Sequence, residues 1–495
     1  MSTRANVAAN YFGQLYAAVM GFAFVPICIR YLGTESYGLV AVFAIVQTSA
    51  ALLDLGMKPT LAREMARHSA GARDAQFSRD LLRTAEILSI CVALVVVLAV
   101  WGASSWLAAH WLKANRLSQP AIAHALTGMG AVCALRLIEN VYVGSIVGLQ
   151  RQVTQCIISC SLMTARAVGA VAVLALVRPN IETFFQWQVI VSLASIPAYG
   201  IVAYRSLSPA PREARFSGAL VADLWRFSGG VTANSVLALL LTQLDKILLS
   251  ARISLEEFSY YAVASTLSSA LYMLSIPISA AFYPSFAKHS TRNDVAGLRL
   301  EYHQAAKLMA TIMGSAAIVL GIFADVALQT WTGDADVTAH ATPFLRVLAL
   351  GTLLNGFVGV PYQLQLATGW TSLTVKLNVT AVSAFAPALF LVIPRYGAIG
   401  AAWIWVALNL GYLLSYSHFM HRRLLPDDKW RWYRQDVLLP AAAGGLAAAV
   451  CRACLPEPSS KVGGICLLIL VFLVVALASA LACQSTRTQL NHARW

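Results

Sequence analysis

The chain has 495 residues, of which 58% are hydrophobic and only 12% charged, about half the charged fraction of a soluble domain. With a mean hydropathy of +0.67 it holds more apolar surface than one soluble core can hide. That excludes a soluble enzyme, a disordered scaffold, a fibrous protein and a disulfide-rich secreted module, and leaves a polytopic membrane protein. Its 36 Lys+Arg against 22 Asp+Glu, a formal +14, then point first to loop topology and not to nucleic acid.

The expected fold class is all-α. Runs of about 20 apolar residues, each able to cross about 30 Å of hydrocarbon as a helix, recur about fourteen times, with twelve as the alternative count. They fall near 8–29, 35–57, 83–105, 120–148, 153–177, 183–204, 227–250, 257–285, 303–325, 341–365, 371–393, 397–420, 437–455 and 461–482. Helices are required because a backbone in lipid must satisfy its own hydrogen bonds, and the alternating ten-residue segments of a barrel are absent. The 257–285 run is long enough to tilt or re-enter. Residues 8–29 lack the short apolar region and small-x-small site of a cleaved signal, so the first helix is expected to be retained.

Orientation follows from Lys and Arg, which stay on the cytoplasmic side. With the N-terminus inside, the cytoplasmic connections are 58–82, 149–152, 205–226, 286–302, 366–370, 421–436 and the tail. Together with Arg4 and the flanking Arg83, Lys307 and Lys376, they hold about 24 basic residues. About eight fall outside: Arg30, Lys113, Arg116, Arg178, Arg252, Arg395, Arg452 and Lys461. The remaining four, Arg136, Arg166, Lys246 and Arg346, lie within spans. The threefold bias, about 24 to eight, puts both termini in the cytoplasm. No outward connection exceeds about fifteen residues, and no G-x-x-x-x-G-K-[ST] phosphate loop is present, so the chain is not expected to hydrolyse ATP.

Nine cysteines are scattered, mostly as small apolar residues within spans; only Cys451-x-x-Cys454 invites a local disulfide, with incidental small residues as the other reading. Nine histidines form no metal-ligand spacing, and no metal or cofactor is expected. A weak internal repeat pairs Val7-Ala8-Ala9-Asn10 with Val231-Thr232-Ala233-Asn234, and Tyr37 with Tyr261 at the same offset. It supports an N-terminal six-helix half (1–204), a cytoplasmic linker (205–226) and a C-terminal six-helix half (227–420). A basic cytoplasmic loop (421–436), helices 13 and 14 (437–482) and a cytoplasmic tail (483–495) follow.

Arg30-Tyr31-Leu32-Gly33-Thr34-Glu35-Ser36-Tyr37-Gly38 reads R-x-L-G-x-E-x-Y-G, followed by Leu53-Asp54-Leu55-Gly56-Met57 and Leu61-Ala62-Arg63-Glu64. Gln243-Leu244-Asp245-Lys246 with Tyr260-Tyr261, and Tyr396-Gly397-Ala398-Ile399-Gly400-Ala401-Ala402, come later. This succession resembles polysaccharide-biosynthesis membrane proteins, the O-antigen or capsule flippase (Wzx-like) group of the multidrug/oligosaccharidyl-lipid/polysaccharide (MOP) exporter superfamily. The resemblance covers spans 1–12. It implies a MATE-like architecture in a bacterial inner (plasma) membrane. It also implies a cargo: oligosaccharide linked through diphosphate to a polyprenol, an O-antigen, capsule or exopolysaccharide repeat unit. Membrane lipids are then partners, H+ or Na+ stays open as coupling ion, contact with a glycan polymerase machinery is allowed, and nucleic acid is not a partner.

Gly33 and Gly38 suit a tight turn, and Arg30 and Glu35 flank it as a paired outer gate, unless Arg30 merely snorkels. Gly397 and Gly400 permit close helix approach. Asp54, at the inner end of span 2, is either a helix-end cap or a coupling acid. Charges within a span are costly and so mark function. Arg166 lies near the middle of span 5; Arg136 and Glu139 lie near the middle of span 4, three residues apart and able to pair. Asp245 and Lys246 are adjacent, point about 100° apart and are not expected to pair well. Arg346 lies near a span end.

The mechanism expected is alternating access, one half rocking against the other. Arg166, Arg136, Lys246 and Arg346 offer charge to the diphosphate. Glu139, Asp245 and Asp54 balance it or carry a coupling proton. Trp187, Tyr272, Tyr362, Trp403 and Tyr412 are candidates to stack on sugars or simply to pack. No reaction chemistry is asked of any residue, so the protein is not expected to be an enzyme. The alternatives are a MATE-type drug or cation antiporter, disfavoured by basic side chains within spans, and a polysaccharide polymerase or ligase, disfavoured by the short outward loops.

Overall fold

The computed structural model describes the backbone of residues 3–492 except residue 55, and their side chains except 3–4, 222–234 and 484–492. Four sequence readings lie outside the described residues: the side chains of Arg4, Leu55 and the Val231–Asn234 half of the repeat, and those of the tail beyond Cys483.

Among the described residues, twelve stretches are long and apolar enough to cross a membrane, and no strand forms. One of the twelve, Ser372–Leu424, has 53 residues, about twice a bilayer crossing, and breaks at Gly397 (φ 57°, ψ −144°). Its arms, 372–396 and 398–424, are each a full crossing. With Gly218–Arg252, a further 35-residue helix, the tally returns to the fourteen read from the sequence. The chain is an all-α, multi-pass membrane protein.

It divides into two compact units, 1–259 and 260–495. The first holds α1 (Thr3–Leu32), α2 (Thr34–Ala50), α3 (Met57–Ser69), α4 (Ala75–His110), α5 (Gln119–Gly148), α6 (Gln152–Leu176), α7 (Ile181–Ser206) and α8 (Gly218–Arg252). At its heart is α5, more than half buried and packed by α3, α4 and α7. The Ser118 hydroxyl accepts from the Ala121 amide (3.4 Å) and Pro120 sits in the first turn, which satisfies free amides where α5 begins. Asn180 caps α7 likewise, its side chain accepting from the Thr183 amide at 2.8 Å.

The 58–82 connection, read as a loop, contains α3. It is amphipathic, with Met57, Leu61 and Met65 at four-residue spacing buried toward α5, and such a stripe folds because it has a surface to cover. Even-numbered connections gather at one end of the unit. Arg79 Nε donates to the Ser208 carbonyl (2.9 Å), Arg212 pairs with Asp80 (2.7 Å), and Asn6 donates to the Gln150 carbonyl (3.1 Å). Odd-numbered ones gather at the other: Leu255 N donates to the Lys113 carbonyl (2.9 Å), and Thr34 to Glu256 (3.2 Å).

The second unit takes up the chain within α9 (Leu255–Ser269). It continues with α10 (Tyr272–Thr291), α11 (Val295–Met309), α12 (Ser315–Ile322), α13 (Ala324–Thr332), α14 (Ala335–Ala367), α15 (Ser372–Leu424), α16 (Lys429–Arg431), α17 (Leu439–Cys454) and α18 (Lys461–His492). The 257–285 run is broken at Ala270–Leu271, between α9 and α10. Residues 310–314 and 432–438 form π turns, which widen the helix by one residue. The most buried long helix is α14, more than half buried, packed by α10, α12, α13 and α15. A core of Phe286, Tyr302, Met313, Phe357, Tyr416 and Trp432 surrounds it, while α17 and α18 pack together against α12. The segment 421–436 is mostly helical and buries Asp428, Trp432 and Asp436.

Candidate functional site

In the first unit, three charged side chains of the spans meet. The Glu139 carboxylate on α5 does not pair with Arg136 one turn away; Arg166 reaches it from α6, Nη2 to Oε2 at 2.9 Å. The same oxygen accepts from Ser195 Oγ on α7 (2.7 Å). Across this cluster, Gln188 Nε2 donates to the Arg166 carbonyl (3.3 Å), tying α7 to α6. Arg166 and Glu139 are both largely buried, with side chains 15% and 14% exposed. Pairing across helices wins because removing two charges from water is tolerable only when donor and acceptor meet well and the remaining lone pairs are used.

Arg136 is thereby left over. Its Nε is buried without a hydrogen-bond partner, and so is Gln47 Nε2. Both residues line a cavity of about 160 Å³ with Ala50, Ala51, Cys133, Glu139 and Asn140. Two guanidinium groups and one carboxylate give this cluster one net positive charge. An unfilled buried donor costs about 1–3 kcal/mol, which an acceptor entering the cavity would relieve. Sequence reasoning missed Gln47 and Asn140; a polar amide in an apolar run, one helix away from Arg136, was the available signal.

The other charges fare differently. Asp245 is buried, and Lys246 Nζ stands 3.4 Å from both its oxygens while donating to the Thr242 carbonyl (3.0 Å). The expectation that neighbours on a helix cannot meet is corrected: the lysine's long stem curls back to its own helix. Arg346 is exposed. Asp54 accepts from the Lys58 amide (3.1 Å) as α3 begins, so it acts as a helix cap, with its Oδ1 buried and unpartnered.

Arg30 and Glu35 do not pair. Arg30 is exposed, whereas Glu35 is buried and accepts from the backbone amides of Asn115 and Arg116, the latter at 2.9 Å. The motif is a knot of three connections at one end of the unit. Gly33 turns the chain with φ 79°, and Gly38 is not in the turn at all: it lies on α2, where a side chain would strike the Leu255 carbonyl. Gly397 likewise serves a sharp fold-back of α15 and not helix contact.

Of the aromatics, Trp187 donates to the Ala165 carbonyl (2.9 Å) and lies on Gly169, a packing role. Tyr362 meets Tyr416 edge-on (6.0 Å between centroids); Tyr412 stands 5.7 Å from Tyr416 and donates to Asn378 (2.9 Å). Tyr272 is half-buried and Trp403 exposed. Cys451 and Cys454 are free thiols.

A further buried polar group in the second unit was not foreseen. His303 contacts Asp436 through Nδ1 and stands 3.4 Å from Asp428 through Nε2, while Arg299 pairs with Asp428 at 2.5 Å. Its partners come from residues far apart in sequence, so spacing carried no signal.

Comparison with known proteins agrees with this architecture. A family model described as polysaccharide biosynthesis protein matches residues 3–290, more than half of the chain, and a MatE model matches residues 232–391. A Shigella flexneri protein described as "Putative O-antigen transporter" is 19% identical over 409 residues, 82% of this chain and 94% of that one. The solved structure of the lipid II flippase MurJ in an inward closed conformation aligns with a TM-score of 0.70 at 12% identity, over 95% of this chain and 97% of that one. An inward-facing multidrug resistance MATE transporter of the MOP superfamily aligns with a TM-score of 0.60 at 16% identity, over 83% and 96%. These likenesses establish a shared fold. The chain belongs to the polysaccharide biosynthesis protein family, within the MOP exporter superfamily.

Proposed function

We propose that this protein flips polyprenyl-diphosphate-linked oligosaccharide from the cytoplasmic to the outer leaflet of the bacterial inner membrane, by alternating access and with both termini cytoplasmic. The observation that carries the reading is the Arg136–Glu139–Arg166 cluster: a net positive charge among spans, with unfilled donors facing a cavity. The family and the likeness to an O-antigen transporter support the cargo class. In this reading Glu139 balances Arg166 while the site is empty, and Arg136 with Gln47 makes the first contact with the diphosphate. Lys246 stays charge-balanced by Asp245 until cargo arrives. The six-plus-six division at 205–226 is part of the proposal, and the fourth span of each half, α5 and α14, being the more than half-buried one, supports it.

A MATE-type antiporter is the second reading, favoured by the MatE match over residues 232–391. Net positive charge at the cluster counts against a cationic drug. Reconstitution in proteoliposomes with a defined lipid-linked glycan, with and without a proton or sodium gradient, tests the proposal. Arg136→Ala is expected to reduce flipping at least about tenfold, the loss of one charged hydrogen bond. Arg136→Lys should recover part of it. Undiminished flipping in Arg136→Ala removes the site, and efflux of a cationic dye without glycan flipping favours the antiporter.

A further inference from the structure

We propose that a second polar cavity, at one end of the 260–495 unit, is a binding site for an uncharged saccharide. The cavity measures about 370 Å³, within the range of small-molecule sites. Asp325, Gln329 and Thr330 on α13, Thr338 on α14, and the turn before α18 with Glu457 and Lys461 line it.

Its groups are set before any ligand arrives. Arg452 holds Asp325 through Oδ2 (2.6 Å), approaches Glu457 (3.6 Å), and lies 5.4 Å from the Phe323 ring centroid. That grip leaves Asp325 Oδ1 buried without a hydrogen-bond partner. Thr338 Oγ1 donates to Gln329 Oε1 (2.9 Å), which orients the amide so that its NH2 is left to donate. Lys461 folds over the Gly333 turn (φ 69°).

A fixed carboxylate acceptor beside hydroxyl, amide and ammonium groups matches the vicinal hydroxyls of a pyranose, each of which donates and accepts. Charge decides between ligand classes. Asp325 and Glu457 are offset by Arg452 and Lys461, so the site has no net attraction for a phosphate or for a cation. A neutral polyol is the ligand whose hydrogen bonds it can fill without leaving a charge unbalanced.

For its place in the cycle the proposal rests on the flippase reading: in that orientation the cavity faces outside, where a translocated sugar head would arrive. The test uses the full-length protein in nanodiscs, titrated with glucose, galactose and N-acetylglucosamine and read by saturation-transfer NMR. At least one sugar is expected to bind. Asp325→Asn combined with Glu457→Gln should weaken it about tenfold, as should the milder Thr330→Val to a lesser degree, with melting temperatures near that of the parent. Arg136→Ala, in the other unit, should leave it unchanged. No transfer to any of the three sugars, equal binding in the variants, or displacement of sugar by inorganic phosphate would overturn the proposal. Saccharide binding without glycan flipping would sink the transport reading alone; flipping without saccharide binding would sink this site alone.

Discussion

The charged side chains within the spans show how far neighbours in sequence mislead about partners in space. Glu139 and Arg136 stand one helical turn apart, yet the carboxylate is taken by Arg166, 27 residues on, and by Ser195. Removing one member of such a pair leaves a buried charge uncompensated, so Glu139→Ala is expected to destabilise the protein by about 3–5 kcal/mol. Glu139→Leu with Arg166→Met should cost much less. Thermal unfolding of both variants in detergent decides it, and equal losses would show that the pair is not the unit. Glu35 gives a second case. Its acceptor role predicts that Glu35→Ala lowers stability by about 2 kcal/mol while Arg30→Ala changes little, against the gate in which both would matter. The positions of these charges were legible in the sequence because a charge in an apolar run stands out. Their partners were not, because a contact across helices leaves no trace in spacing.

At the scale of elements, the apolar runs gave the spans and even their number, since crossing a bilayer fixes length and hydropathy. Local backbone events stayed hidden: the break after Ser269, the helix α3 inside a connection, and the fold-back at Gly397. Hydropathy reports what a segment is made of, and these features depend on what it packs against. Two glycines make this testable. Gly397→Ala places a side chain at φ 57° and is expected to cost about 1–2 kcal/mol. Gly38→Ala keeps helical dihedrals but meets the Leu255 carbonyl, a backbone atom that cannot rotate away, and should cost about 3 kcal/mol. Melting curves in which Gly38→Ala is the milder of the two would contradict the close approach of α2 to that carbonyl.

For the whole molecule, the two sets of connections sit at opposite ends of the first unit, as alternation of spans demands. The proposed orientation assigns sides to them. In a cysteine-free background, Ser208→Cys should react with a membrane-impermeant maleimide only after the cells are opened, and Ser459→Cys in intact cells. The reverse pattern would invert the topology and place the polar cavity of the second unit in the cytoplasm. The wide π turn at 310–314 has a consequence of another kind, for insertions and deletions. It carries one residue more than a straight helix would need over the same rise. Deleting Thr311 would therefore leave an unbroken α-helix, yet everything beyond it would shift by about 1.5 Å and swing by about 100°. The Ser315 hydroxyl would turn away from Ser479, now 3.3 Å distant, and α12 would offer α18 a different face. That surplus residue acts as a phase setting for the helix, and a gap there changes which side of α12 the last span meets.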